Sequence, residues 1–481
     1  MNRIETLRET IRANCLADEN LILAVLQQEA GITQEARHAA RGQAISLVTT
    51  IRESGRPELM EIFIAEYGLS NEEGIALMCL AEALLRVPDS GTIDALINDK
   101  IAPSEWGKHL GHSSSSLVNA STWALMLTGK VLKGSEEPGI ASILRGMIKR
   151  LGEPVIRTVT ERAVRVLGTQ FVLGETIEKA LARSETKKRE GYTYSYDMLG
   201  EAALTALDAQ KFFDAYGGAI DALAVAASSG NIADNPGISI KLSALHPRYE
   251  LSQAHRAVSA LTERTLLLAR KAKQAGIGFN IDAERGIAQN ALDNIQRNVQ
   301  ARCFLGVVVQ AYGKRAGAMI DWLHALSTEL DRRIMVRLVK GAYWDAEIKL
   351  AQVEGIPDFP VFTRKAATDV AYLCCAGKLL NMRDRIYPQF ATHNAHSVAT
   401  ILQLAGANRE TYEFQRLHGM GEALHELVHS QEGARCRIYA PVGAHRDLLA
   451  YLVRRLLENG ANSPFVNQIV NEDVPPEEIA A

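Results

Sequence analysis

Eight short runs rich in β-branched and aromatic residues, most of them separated by amphipathic stretches, constrain this chain more than any other feature. They are TYSYDMLG at 193–200, ISIKLS at 238–243, IGFNIDA at 277–283, LGVVVQA at 305–311, IMVRLVKG at 334–341, IYPQFAT at 386–392, YEFQRLH at 412–418 and CRIYAPV at 436–442. Helical patterns lie between them, for example Ala254 to Ala275 and Gly317 to Leu330. Such alternation builds parallel sheets, because a parallel strand needs a crossover long enough to return to the same edge. Eight units between 193 and 442 predict a (βα)8 barrel. An open doubly wound sheet is the alternative, but no GxGxxG follows any run. The gap at 342–385 has room for an excursion as well as a helix.

The first 190 residues read differently. Apolar positions recur at spacings of three and four, as in Ile22, Val25 and Leu26 and again in Ile75, Met78, Cys79 and Leu85. The expectation is an all-helical N-terminal domain with its linker over 1–190, an α/β barrel over 191–465 and a linker-like tail over 466–481. The charged stretch RSETKKRE at 183–190 marks the first boundary, and the acidic, proline-bearing VNEDVPPEEIAA marks the tail. A helix from Arg446 to Asn459 is expected to stop at Gly460. The net charge of −3 gives no global field for nucleic acid, so no nucleic-acid partner is expected. No apolar run has the length of a bilayer span, and the N-terminus lacks the apolar core of a signal peptide. The six cysteines, none in a CxxC pair, are expected as buried thiols in a reducing cytoplasm.

Barrel enzymes carry their chemistry where strands end. Glu201 follows run one, Lys241 lies in run two, Asp282 near the end of run three and Gln310 near the end of run four. Run five holds Arg337 and Lys340, with Tyr343 and Trp344 just after it. Thr392, His393 and Asn394 close run six, Gln415 and His418 run seven, and Tyr439 sits in run eight. Any one of these alone reads equally well as a solvated strand end. Together they predict a cup of cations, carboxylates, amides and aromatics, suited to a large anionic cofactor and a small zwitterion. Arg454, Arg455 and Glu458 share the last helix. Two adjacent arginines can fork around one carboxylate, and the same spacing also fits a surface ion-pair set. Lys241 admits another chemistry, a Schiff-base lyase or aldolase on the same barrel. His425-Glu426-Leu427-Val428-His429 matches HExxH, but Glu432 stands where the longer zinc pattern needs glycine, so it reads as a chance match on a solvated helix and no metal is expected.

Several long stretches carry a resemblance. EYGLSNEEGIALMCLAEALLRVPD (66–89), YSYDMLGEAALTALDAQ (194–210), GISIKLSALHPRYE (237–250), MVRLVKGAYWDAEI (335–348), YPQFATHNAH (387–396), FQRLHGMGE (414–422) and RIYAPVGAHRDLLAYLVRRLLENGANSPFVNQI (437–469) are similar to the proline dehydrogenase family. The likeness is strongest to the proline dehydrogenase portion of the bifunctional proline utilization A (PutA) proteins. It implies a distorted (βα)8 barrel holding FAD noncovalently, with a last helix laid over the site. It further implies that L-proline is oxidised to 1-pyrroline-5-carboxylate by hydride transfer from C5 to the flavin N5. Electrons then pass to a membrane quinone, which implies a cytoplasmic enzyme with a peripheral contact at the inner membrane face.

Position by position, the resemblance makes Arg337, Val339, Lys340, Gly341, Ala342, Trp344, Gln310, Thr363, Arg364, Lys365, Thr392, His393, Gln415 and Glu458 flavin contacts. Lys241, Arg454 and Arg455 become the cage for the proline carboxylate. Tyr439, Tyr343 and Leu417 become walls against the ring, and Asp282 and Glu201 supporting carboxylates. The catalytic set so implied is Lys241, Asp282, Tyr343, Tyr439, Arg454 and Arg455. Larger members of the family often begin with a ribbon-helix-helix module and continue into a 1-pyrroline-5-carboxylate dehydrogenase module. Neither pattern is found here, and the acidic tail leads to the expectation of a piece of a longer polypeptide rather than a monofunctional relative.

Overall fold

Each of the eight runs forms a strand. In chain order they are β1 (Thr193–Met198), β2 (Gly237–Ile240), β3 (Gly278–Ile281), β4 (Leu305–Gln310), β5 (Ile334–Val339), β6 (Ile386–Ala391), β7 (Glu413–Leu417) and β8 (Cys436–Val442). They close into a barrel in that same order, every neighbouring pair parallel. This computed structural model describes residues 3–54, 171–283, 305–443 and 475–479. The chain divides into two compact units, one of 1–47, 172–444 and 480–481, the other of 48–171 and 445–479. The barrel belongs to the first.

The described helices are α1 (Arg3–Ala13), α2 (Glu19–Ala30), α3 (Gln34–Glu53), α4 (Ile177–Arg189), α5 (Ala206–Ala226), α6 (Ala254–Gln274), α7 (Ala316–Glu329), α8 (Trp344–Val353), α9 (Lys365–Asn381), α10 (Ala395–Ala405) and α11 (Glu422–Glu432). Local chemistry sets their ends. Thr205 and Asp208 form a capping box at the start of α5. Asp18 caps α2 by accepting from the backbone N–H groups of Asn20 and Leu21, and Gly31 in the left-handed region stops it. The gap at 342–385 holds two helices, α8 and α9, as its length allowed. A single helical turn, Pro476–Ile479, lies within the tail expected as a linker.

Strand alternation sorts the side chains. Ile238 and Ile240, Phe279 and Ile281, Val336 and Leu338, Phe390, Phe414 and Ile438 are buried on one parity. The other parity carries Ser195, Asp197, Ser239, Asn280, Arg337, Gln389, Glu413, Gln415 and Arg437, and these meet one another across the barrel interior. Barrel interiors are more often layers of branched apolar side chains. Here glycine and serine on β1–β4 leave room for long polar groups from β5–β8. A Cβ on Gly306 would stand 2.3 Å from Asn280 Oδ1.

Within the same unit α1 packs on α7 and α2 on α9. Lys378 of α9 ties them by pairing with Glu29 of α2 and Asp321 of α7, each at 2.7 Å. Of the expected stripe Ile22, Val25 and Leu26, only Leu26 is buried and Val25 is exposed. The inner face of α2 runs instead through Leu26 and Ala30, four residues apart, where they meet Gly317 and Gly377. The second expected stripe, Ile75 to Leu85, lies outside the described residues. Among the described residues no helix is long and apolar enough to cross a membrane. Cys374, Cys375 and Cys436 are buried free thiols.

Candidate active site

Five side chains converge where β1, β2, β3, β5 and β8 end. Asp197 comes from β1 and is fully buried, while Lys241 directly follows β2 and is 7% exposed. Asp282 directly follows β3, Arg337 comes from β5 and Tyr439 from β8. Lys241 Nζ donates to Asp197 Oδ1 at 2.5 Å and lies 3.8 Å from Asp282 Oδ2. Arg337 donates from Nη1 to Asp282 Oδ1 at 2.7 Å and from Nε to Gln415 Oε1 at 2.6 Å. Its Nη2 donates to Ser239 Oγ at 3.0 Å and Ser195 Oγ at 3.3 Å. Tyr439 donates its hydroxyl to Asp282 Oδ2 at 2.7 Å, and the Arg337 guanidinium carbon stands 5.1 Å from the Tyr439 ring centroid. Two cations thus face two carboxylates, a balance that makes buried charge tolerable.

Ionisation follows from that packing. Burial works against the Lys241 ammonium, but Asp197 and Asp282 outweigh it and hold its pKa above the ordinary lysine value. Burial pushes the Asp197 carboxyl up from its usual range, with Lys241 opposing. Burial, reinforced by Asp197 and Asp282, likewise keeps Tyr439 a neutral phenol.

Below this layer lies a second polar one. Arg437 Nε donates to Glu413 Oε1 at 2.7 Å, while its Nη atoms donate to the carbonyls of Tyr194, Ala233 and Asn235. Glu413 also accepts from Gln389, Gln415 and Tyr387. Gln415 therefore joins the two layers, with its amide on Glu413 and its carbonyl on Arg337.

The candidate cofactor contacts occupy the ends of β4–β7. Gln310 Oε1 accepts from the Ala342 backbone N–H at 3.3 Å. Gly341 has φ 144°, and a Cβ there would lie 2.5 Å from the Tyr312 ring, so only glycine serves at this close approach. Lys340 and Lys365 both pair with Asp369. Burial lowers the Lys340 pKa, with Asp369 opposing. Trp344 donates Nε1–H to the Phe362 carbonyl at 2.7 Å, and Tyr343 caps α8. Thr363 and Arg364 meet Glu19 of α2. His393 Nε2 accepts from the Leu417 N–H at 3.0 Å, and Thr392 Oγ1 accepts from the Asn394 N–H. Val339 and Leu417 end β5 and β7, half-buried, and Glu201 is half-buried just past β1. Arg454, Arg455 and Glu458 lie outside the described residues.

Asp197, Glu413 and Asp369 were not among the residues singled out from sequence. Asp197 lies within β1 and Glu413 opens β7, away from the C-terminal strand ends; the signal available was a carboxylate on the inward parity. The HExxH segment is α11, and that helix is not simply solvated. His425 is fully buried and its Nε2 hydrogen-bonds the Thr392 carbonyl at 2.9 Å. His429 bonds the carbonyls of Ala434 and Glu190. Both histidines tie the helix to its neighbours.

The family model described as proline dehydrogenase matches residues 180–468. The chain belongs to the proline dehydrogenase family. A model for the proline utilization A proline dehydrogenase N-terminal domain matches 5–52. One described as the DNA-binding domain of proline dehydrogenase matches 59–171, all but the last of them outside the described residues. That description stands against the expectation of no nucleic-acid partner, which came from net charge alone. The bifunctional protein PutA of Escherichia coli (strain K12) is 48% identical over 495 residues, covering 98% of this chain and 37% of that protein. Proline dehydrogenase 1 of Bacillus subtilis (strain 168) is 31% identical over 307 residues, 63% of this chain and 90% of that one. A crystal structure of a Bradyrhizobium japonicum proline utilization A mutant superposes with TM-score 0.73 at 46% identity, covering 97% of this chain and 47% of that one. The chain thus spans 37% of the Escherichia coli relative's length.

Within the proline dehydrogenase family frame, the donor set at the mouth fits an anionic dinucleotide. Lys340, Arg364 and Lys365 bring three cations, and Arg337 presents a buried guanidinium 4% exposed.

Proposed function

We propose that this chain oxidises L-proline to 1-pyrroline-5-carboxylate, with noncovalently bound FAD as the immediate acceptor and a membrane quinone as the next. The observation that carries this reading is the pair of buried cation–carboxylate contacts, Lys241–Asp197 and Arg337–Asp282, beneath the Tyr439 phenol in a member of the proline dehydrogenase family. Bound flavin supplies a two-electron acceptor for the hydrogen leaving the proline ring. C5 gives up that hydrogen with its bonding pair, the ring nitrogen gives up a proton, and C–N becomes C=N.

The residues of the chain do the rest. Lys241, with Arg454 and Arg455, meets the substrate carboxylate, whose burial would otherwise be costly. Tyr439, Tyr343 and Leu417 wall the ring and fix its face, a proximity effect. Asp282 holds both Arg337 and Tyr439, one on each oxygen. Arg337 and Lys340 stand where negative charge collects as the cofactor is reduced. Glu201 supports the cage, and the phosphates of the cofactor are assigned to Arg364 and Lys365. We place the enzyme in the cytoplasm, as part of a longer polypeptide that passes its product to a second dehydrogenase.

The Schiff-base lyase reading is less favoured, because a nucleophilic lysine must be free of its proton and Lys241 is held as an ammonium by Asp197. An anaerobic absorbance spectrum tests the proposal. The purified protein should be yellow, and L-proline should bleach its blue band. A colourless protein that accepts no flavin on reconstitution would end it, and borohydride trapping of a carbonyl substrate would restore the lyase.

A further inference from the structure

The Asp197 carboxylate has two different ends. Oδ1 accepts from Lys241 Nζ at 2.5 Å, whereas Oδ2 is sealed from solvent and has no partner within hydrogen-bond distance among the described residues. Burying a carboxylate with one oxygen unsatisfied is expensive. A strand that needed only packing there would carry an apolar residue. Among the described residues no other carboxylate can take over. Asp282 commits one oxygen to Arg337 and the other to Tyr439, and its nearer oxygen stays 3.8 Å from Lys241 Nζ. Among the described residues the charged and titratable groups facing Lys241 are Asp197 of β1, Asp282 after β3 and Tyr216 of α5, with Arg337 of β5 and Tyr439 of β8 behind them on Asp282. Of these, Asp197 alone touches the ammonium as an anion.

We propose that Asp197 is a positioning residue: it fixes Lys241 at the floor of the cup as a pre-charged ammonium with spare N–H donors for the incoming carboxylate. The proposal rests on the proline dehydrogenase reading, in which Lys241 meets that carboxylate. Without Asp197 the site would hold two buried cations against one carboxylate already shared. A lysine so placed sheds its proton. Each carboxylate ligand would then have to bring a proton with it.

The test is calorimetric binding of tetrahydrofuran-2-carboxylate to the flavin-loaded chain. This acid has the ring and carboxylate of proline but an ether oxygen in place of the amine, so binding is read without turnover. The wild-type affinity should stay flat between about pH 6 and pH 9, and binding in buffers of different ionisation enthalpy should show no proton uptake. In Asp197→Asn, which keeps the shape and a hydrogen-bond acceptor, Lys241 is charged only at the acid end. Affinity should therefore fall about tenfold or more as pH rises, with about one proton taken up on binding at the alkaline end. Asp197→Glu, which keeps the charge, should retain a flat profile even if weaker throughout. A uniform loss in Asp197→Asn with the wild-type pH profile would make the residue merely structural and overturn the proposal. Proton uptake by the wild-type chain itself would overturn it equally, and that measurement needs no variant to fold. A wild-type chain that holds no flavin and no ring acid would instead sink the proline dehydrogenase reading, and this inference with it.

Discussion

Removing the Glu413 carboxylate would leave Arg437 charged inside the barrel with only carbonyls around it. A buried ion pair is weak evidence of stability as a pair, but breaking one side strands the other. Glu413→Ala is therefore expected to cost about 3–5 kcal/mol. A urea titration checks it, and Glu413→Leu combined with Arg437→Met should regain most of the loss. A single-variant cost below about 1 kcal/mol would mean water reaches this layer. Tyr439→Phe probes the layer above by deleting the donor to Asp282 Oδ2. It should lower kcat/KM for proline about tenfold with flavin content unchanged, the size of one hydrogen bond to a charged group. Lost flavin with unchanged kcat/KM per flavin bound would place the phenol elsewhere. At this scale the sequence was legible where chemistry sits at strand ends: Lys241, Asp282, Arg337, Gln415 and Tyr439 all come together. It was opaque for Asp197 within β1 and for Glu413 at the start of β7, because without the barrel closed nothing says which parity faces inward.

Elements were easier to read than their faces. The eight β-branched runs became eight strands because burial on one parity demands that composition, and the excursion for which the long gap after β5 had room is a second helix. The stripe on α2 was misread because Val25 and Leu26 are adjacent on the helix and only packing against α7 and α9 decides between them. For α11, a pattern that resembles a metal site turned out to be a docking device. His425 is neutral because burial pushes its pKa down to about 4, and His418 after β7 falls to about 3 through burial beside Arg183 and Arg416. Both values lie below the ordinary histidine value of 6.5, so the unfolded chain takes up these protons first as pH falls. Stability should be full above about pH 6.5 and decline from there toward about pH 4, where His425 titrates in the folded state. His425 alone can contribute up to about 3 kcal/mol of that decline, at about 1.4 kcal/mol per unit. Urea midpoints across this window should show the slope, and His425→Gln, which keeps a donor for the Thr392 carbonyl, should flatten it. An unchanged slope would place the acid sensitivity in other groups.

For the whole molecule, the barrel class followed from spacing alone, whereas the identity of the ligand did not. A ring of strands gathers residues from 201 to 439 without specifying what they hold, and fold alone does not imply chemistry. The cofactor assignment can be tested through the stability of the assembled unit. Among the described residues the proposed contacts run from Gln310 to Gln415 and so span β4 to β7 and the start of α9. A ligand touching that many elements binds the folded barrel and not the unfolded chain. FAD at a hundredfold excess over its dissociation constant should then add about 2.7 kcal/mol. For a unit of this size that corresponds to roughly 5–10 °C in melting temperature relative to stripped protein. FMN, which lacks the adenylate half, should give a clearly smaller rise if Arg364 and Lys365 hold the diphosphate. An equal rise with FMN would remove those two cations from the diphosphate site and leave Arg364 with its structural partner Glu19.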